Sequence, residues 1–494
     1  MIDIVAPPKP RGKSATRNSC RLCAPLGACL AFRGVEGAMP LLHGSQGCAT
    51  YIRRYMISHF REPLDIASSN FTEDAAIFGG RDTLRKSLAN VVRQYAPQLI
   101  GIATTCLAET IGDDVAMYLR EIAAEGLTTL PEVVHVSTPS YSGSHEEGYH
   151  ATVLALVTAL AKEGPRHDAI NVIAPICSPA DLRTLKSIVR DFGLEPILLP
   201  DYSDTLDGPA WTEYQRIPAG GTPVESIRRM GSARATIEFG SAWHATHTAG
   251  KFLEERFGVP RHALPLPLGV TQTDRLFEVL EELSGRPVPA AHVEERGRLV
   301  DSYVDAHKYV FGKRAVVYGE QDLVVGIAAL LAEIGIIPAL CASGTATGRL
   351  REQLTAVEAD LAGDIEVLED VDFAEIEEHA IRLRPDLVVG NSKGYALTRR
   401  LSEPQSDGEP AAGQPPMVRP GIPGDQAGRA MCVAPGMEPR SARLVRVGFP
   451  IHDRIDGPRL LHLGYRGAQQ LFDRIANALI EASQDASPVG YSYM

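Results

Sequence analysis

Three cysteines occupy turns of small and hydroxylated residues: Cys23 in CAPLGA, Cys48 in HGSQGC and Cys106 in ATTCLAET. Thiolates are favoured ligands of iron–sulfur clusters and of zinc. The three lie too far apart in sequence for a local finger, but the C-terminal strand ends of one α/β domain gather residues at such spacings. Three thiolates from one chain leave a cluster incompletely ligated, so a site shared with a second chain at a subunit interface is the economical arrangement. Gly44 and Gly47 allow the backbone close to a bulky group and let turn N–H groups reach its sulfides. Plain burial is the competing reading, because free cysteine behaves as a small hydrophobe. Cys20 forms CRLC with Cys23, a spacing that also suits half a zinc site or a redox pair. Cys29, Cys177, Cys341 and Cys432 stand in apolar or loop sequence and are expected to be structural or inert.

His43, His59 and Arg61 crowd the same stretch. Side chains of these types at element ends ordinarily satisfy carbonyls or pair with carboxylates, so no catalytic role is assigned to them. The chain has no GxxxxGK[ST] phosphate loop, so ATP hydrolysis through such a loop must belong to another protein.

The elements that position these residues are read from periodicity. Short β-branched runs, at 98–106, 132–140, 169–175, 195–200, 235–240, 314–320, 386–392 and 443–450, are each followed by a turn residue and then by helical spacing, as in 322–335. That alternation predicts buried parallel strands with crossover helices, and its recurrence predicts an α/β fold of three doubly wound, Rossmann-like units. The expected division is a tail over 1–17, a cluster-binding domain over 18–165, a second domain over 166–290 and a third over 291–494 ending in a C-terminal helix. Residues 161–168 and 284–298 read as linkers. Segment 402–442 holds eight prolines and little apolar periodicity, and reads as a surface insertion.

Length and composition agree with several domains, since 494 residues exceed what one core organises. Lys plus Arg number 49 against 61 Asp plus Glu, a formal charge of -12, which argues against nucleic acid as a partner. No apolar run is long enough for a membrane span, and the N-terminus lacks the apolar stretch of a secretory signal. A cytoplasmic location with reduced thiols is expected.

CAPLGA, HGSQGC, HFREP, TEDAAIFGG, TTCLAETIGDD, TPSYSGSH, GKRAVVYGEQD, VGNSKG and RVGFPIHDR with LGYRGAQQLFDRI occur in this order. Together they resemble the β-type chain of the nitrogenase superfamily over most of the sequence, apart from the tail and 402–442. The resemblance implies three Rossmann-like domains, and an α2β2 heterotetramer with a homologous α-type chain. It implies an interfacial [8Fe-7S] P-cluster, or a smaller [4Fe-4S] cluster, whose cysteine ligands fall on Cys23, Cys48 and Cys106. A serine that ligates the oxidised cluster in some members falls on Ser140, where an ordinary turn hydroxyl is the alternative. Ser45 falls beside the cluster, Tyr51 between the two metal clusters, and Phe78 on the docking face for a separate ATP-hydrolysing iron protein. Core packing is the alternative for both aromatics. The implied role is electron relay to a large iron–sulfur cofactor in the α-type partner.

Departures are visible too. Glu62 matches a carboxylate of a cation site between β-type chains, but another acidic position of that site is Thr271, with Asp274 nearby. The region before Cys23 is shorter than in molybdenum nitrogenase, and the proline-rich insertion is additional. Segment 193–211 looks more like a cofactor-assembly scaffold than a nitrogenase, while the full cysteine set suits a chain carrying a P-type cluster. Three readings follow: a nitrogenase-like reductase closest to the methylthio-alkane reductases, which cleave C–S bonds; the scaffold β-type chain; and a nitrogenase β-chain. A purely structural zinc site is the non-redox alternative.

Overall fold

The computed structural model describes residues 19–126, 130–240, 247–358, 363, 365–402, 442–487 and 490. The tail 1–17 and nearly all of the 402–442 insertion lie outside them. Within the described residues the strands are β1 Ala38–His43, β2 Ala67–Ser68, β3 Leu99–Thr104, β4 Glu132–Val136, β5 His167–Ile173, β6 Pro196–Leu199, β7 Ala233–Phe239, β8 Arg261–Leu264, β9 Arg314–Tyr318, β10 Ile337–Ala342, β11 Glu366–Leu368, β12 Leu387–Gly390 and β13 Arg443–Arg446. They form three parallel sheets in the orders β2-β1-β3-β4, β6-β5-β7-β8 and β11-β10-β9-β12-β13. Each sheet therefore winds in both directions from its first strand, the doubly wound α/β pattern expected from the sequence. Every residue of β1 and of β3 is buried, as strands covered by helices on both faces must be.

The eight runs singled out in the sequence each coincide with or overlap a strand, and 322–335 overlaps the helix Gln321–Glu333. Segment 284–298 is a linker only in part, because the helix Ala290–Val310 begins inside it. Pro289 at its N-cap explains the mixed signal: proline suits a helix entry. The C-terminal helix Gly464–Ala486 packs against Ala290–Val310, Gly269–Ser284 and β13. Among the described residues, no helix is long and apolar enough to cross a membrane.

The helix Ala24–Arg33, all ten residues buried, lies against the helix His145–Leu160 with backbones nearly touching. A Cβ on Gly27 would sit 1.8 Å from the His145 carbonyl oxygen, and one on Gly148 2.0 Å from that of Ala24. Rigid backbone cannot yield as a flexible side chain would. Gly27→Ala should therefore lower stability by about 3 kcal/mol, the upper end of ordinary overpacking costs. Gly297 lies in the helix Ala290–Val310 with nothing within 4 Å of an added Cβ, so Gly297→Ala should stabilise by roughly 0.5–1 kcal/mol. Denaturant midpoints of the two variants should move in opposite directions.

Candidate functional site

Strands β1 and β3 pair in register, with His43 opposite Thr104. Both end at the same edge, and both lead into helices that begin with the cysteines. After β1, Ser45 caps the helix Gln46–Phe60, its Oγ accepting from the Gly47 N–H at 3.3 Å, and Cys48 lies in the first turn. After β3, Cys106 is the first residue of the helix Cys106–Ile111. Cys23 is the N-cap of Ala24–Arg33 and bridges in antiparallel fashion to Ser144 at the entry to His145–Leu160. All three thiols thus stand at helix N-termini, where unpaired N–H groups favour negative charge and thiolate formation.

The turn at Gly44 is fixed from inside the chain. Its φ is +154°, and a Cβ there would meet the Thr105 hydroxyl oxygen at 1.8 Å. The Gly44 N–H donates to Ser69 Oγ at 2.9 Å, and its carbonyl accepts from the Phe71 N–H at 3.0 Å. An added Cβ on Gly47 would meet only Ser45 Oγ, at 3.6 Å. The two glycines expected to make room for a bulky group therefore divide the work: Gly44 lets chain pack on chain, and Gly47 leaves the cysteine turn open.

Cys48 is half-buried, and burial raises its thiol pKa, with the charges of Cys23 and Cys106 pushing it further up. Cys23 and Cys106 therefore both lie within electrostatic reach of Cys48. The Ser140 N–H donates to Cys106 Sγ at 3.3 Å, which brings a fourth sequence-singled residue to the same edge. All three cysteines are free thiols, Cys23 exposed and Cys106 half-buried. Among the described residues, no three His, Cys, Asp or Glu side chains converge tightly enough to hold a single ion. Thiols set in three separate helix-entry turns, one of them accepting from the Ser140 N–H, suit a multi-iron core whose sulfurs take such donors.

Large apolar side chains surround this edge in solvent. Tyr51, one helical turn beyond Cys48, is 68% exposed, and Phe78 is 84% exposed. Ile77, Leu107 next to Cys106 and Tyr141 next to Ser140 are exposed too. Ile77 and Phe78 end the helix Glu73–Phe78, which packs on Cys106–Ile111. Neither Tyr51 nor Phe78 is core, so the packing alternative is excluded for both. Exposed apolar groups gathered at one edge mark a surface built for another protein.

The pattern of the family described as Nitrogenase component 1 type Oxidoreductase matches residues 23–423. The chain belongs to this family. It is 32% identical to the nitrogenase molybdenum-iron protein beta chain of Clostridium pasteurianum over 475 residues, covering 95% of this chain and 94% of that one. It is 34% identical to the nitrogenase vanadium-iron protein beta chain of Trichormus variabilis, over 92% of each. A solved structure titled Nitrogenase Cp1 at pH 6.5 aligns over 100% of both chains with a TM-score of 0.86 and 30% identity. This is accordingly a β-type component 1 chain, a subunit of an oxidoreductase, in a family that implies iron–sulfur clusters.

In this component 1 chain the other sequence-singled residues are more scattered. Glu62 is half-buried beside Asp207 and the Gly208 backbone, and burial followed by the Asp207 charge raises its pKa. Asp274 is engaged elsewhere, paired with the Arg296 guanidinium at 2.8 Å and accepting from the Tyr465 hydroxyl at 2.5 Å. The structure does not bring Glu62 and Asp274 together within one chain. Cys20 is buried against the third sheet, where burial pushes its thiol up to about 12, while Cys23 of the same CRLC is exposed. Cys29 and Cys341 are buried as expected, Cys177 is half-buried, and Cys432 lies outside the described residues. Sequence reasoning passed over Asp113, whose buried carboxylate accepts from His43, Gly80 and Tyr118. No spacing in the sequence pairs Asp113 with these partners.

His59 and Arg61 tie this domain to the C-terminal region. The Ile451 N–H donates to His59 Nδ1 at 2.9 Å, and Arg61 Nη2 donates to the His452 carbonyl at 2.9 Å. Burial pushes the His59 pKa down from 6.5 to about 3. The folded state thus holds His59 neutral, and the stability this contributes is present above pH 6.5 and lost as pH falls towards 3. His59→Gln retains an acceptor for the Ile451 N–H without a titrating ring. Denaturation across that pH window should show a shallower acid-side loss of stability in this variant.

Proposed function

We propose that this chain is the electron-relay subunit of a component 1 reductase, with Cys23, Cys48 and Cys106 holding half of a P-cluster-type iron–sulfur cluster. The observation that carries this reading is the placement of three free thiols at three helix N-termini, Cys23 and Cys106 both within electrostatic reach of Cys48, beside exposed apolar side chains. A homologous α-type chain completes the ligation in an α2β2 assembly. The cluster is [8Fe-7S], or [4Fe-4S] in the simpler alternative, and supplies a one-electron relay when bound. The chain's own residues orient and tune. Helix N-termini offset the negative thiolates, the Ser140 N–H donates to Cys106 Sγ and lowers its electron density, and the Ser140 hydroxyl adds a ligand when the cluster is oxidised. Ser45 holds the turn that carries Cys48, and Tyr51 lies on the path towards the large iron–sulfur cofactor of the α-type partner. Phe78 presents the docking face for an ATP-hydrolysing iron protein. Glu62, already beside a second carboxylate, contributes to a cation site between β-type chains. The domain division is 18–165, 166–290 and 291–494, one sheet to each.

The relatives are nitrogenase chains, which favours dinitrogen reduction as the reaction served. The scaffold-like segment 193–211 together with the full set of three cysteines suits a divergent reductase branch, for which reductive C–S cleavage of methylthio-alkanes is the reaction proposed. Parallel assays of the anaerobic assembly on a methylthio-alkane and on dinitrogen separate the two. Absence of turnover with either, alongside transferable cofactor, would identify the assembly scaffold.

Cys48→Ala should abolish the brown visible absorption and iron content of the anaerobically purified assembly, and an unchanged spectrum would refute the ligand assignment. Phe78→Ala should leave iron content intact. It should slow electron delivery from the iron protein by about tenfold, the effect of losing one exposed aromatic anchor at an interface.

A further inference from the structure

The carboxylate of Asp113, with only 2% of its side chain exposed, gathers three donors from three separate segments. Its Oδ2 lies 2.9 Å from His43 Nε2, on the last residue of β1. The Gly80 N–H, two residues beyond Phe78, donates to it at 3.1 and 3.2 Å. The Tyr118 hydroxyl donates to Oδ1 at 2.9 Å. Burial holds the His43 pKa below the usual value, and the Asp113 carboxylate, which only accepts, calls for the neutral tautomer with its hydrogen on Nε2.

A second set of contacts closes the circuit. The Phe71 ring packs edge-on against His43, with centroids 4.8 Å apart. It also leaves Gly80 no room: an added Cβ would lie 2.4 Å from Phe71 Cζ and 2.5 Å from Asp113 Oδ2. The Phe71 N–H in turn holds the Gly44 carbonyl. From His43, the backbone carbonyl accepts both the N–H and the hydroxyl of Thr105, the residue before Cys106. Asp113 and Phe71 thus touch, on one side, the loop that follows the exposed Ile77 and Phe78. On the other they touch His43, from which the turn carrying Cys48 departs and whose carbonyl holds Thr105 ahead of Cys106. A buried carboxylate with three donors does not tolerate loss of one partner without rearrangement of the others.

We propose that Asp113 is a positioning residue that couples the exposed Ile77–Phe78 face to the cysteine turns at 44–48 and 105–106, so that a protein docking on that face shifts the setting of the thiols. The coupling deepens the electron-relay reading and rests on it for its consequence, not for its existence. It runs through contacts between packed, hydrogen-bonded groups with little free volume, the kind of path along which displacement is transmitted rather than absorbed.

The test uses the assembled protein with its partner chain, as Asp113→Asn and as Gly80→Ala. Asn retains an acceptor for Gly80 and Tyr118 but can turn an NH2 towards His43; Gly80→Ala presses on the hub from the docking side and leaves every cysteine turn untouched. Amide hydrogen exchange over residues 43–50 should quicken by about tenfold in either variant, with exchange in the second and third sheets unchanged. Electron transfer from the iron protein should slow by about tenfold, while reduction by a small soluble dye keeps its rate. Unchanged exchange over 43–50 in both variants would overturn the proposal, as would equal slowing with the dye, which would mean that the variants damaged the cluster site itself. If the unsubstituted assembly takes no electrons from an iron protein, the electron-relay reading fails, and the exchange data still decide whether the coupling exists.

Discussion

The in-register pairing of β1 with β3 is the constraint on which the site depends. Parallel strands paired from Ala38 with Leu99 to His43 with Thr104 must end together, and the chain leaves both ends through tight turns into helices. Cys48 and Cys106 are brought to one edge by backbone hydrogen bonding that involves neither side chain. The third thiol depends on a different contact, the glycine-mediated approach of Ala24–Arg33 to His145–Leu160. That approach seats Cys23 against Ser144 at the same end of the domain.

Electrostatics then explains why such a site stays at the surface. Three thiolates in a closed interior would repel one another and carry a desolvation cost that nothing in this chain offsets. Helix N-termini lower that cost, and a cationic metal core removes it by drawing protons from the thiols. Until a core binds, burial and mutual repulsion keep Cys48 protonated beyond the ordinary thiol range. An exposed edge with apolar side chains around it becomes dry only when a second protein covers it. On the proposed cluster ligation, binding of the core and assembly with the second chain are the same event.

The three-sheet architecture was legible because buried parallel strands write themselves as short β-branched runs. Five strands escaped that reading, and β1, which leads to Cys48, was one of them. Its sequence AMPLLH carries a proline in mid-strand, and β10, IPALCA, does the same; proline is a poor sign of a central strand. Strands β2 and β11 are too short to show a period, and β8, RHAL, is half polar. The cysteines were legible as chemistry because their turns are rich in glycine, serine and threonine. Exposure was not legible: Tyr51 and Phe78 look like core aromatics in a one-dimensional pattern, and only packing shows them in solvent. Asp113 was the deepest omission, since its partners His43, Gly80 and Tyr118 are brought together by the fold and share no spacing that a sequence could display.

The proposed ligation sets iron against Cys23, Cys48 and Cys106 at one edge of the first sheet. Anomalous diffraction at the iron absorption edge, from crystals of the anaerobically purified assembly, tests it directly. The account predicts a compact iron peak within bonding distance of all three sulfurs and continuous with density from a second chain. Absence of iron at that edge, or a lone zinc ion in its place, would contradict it.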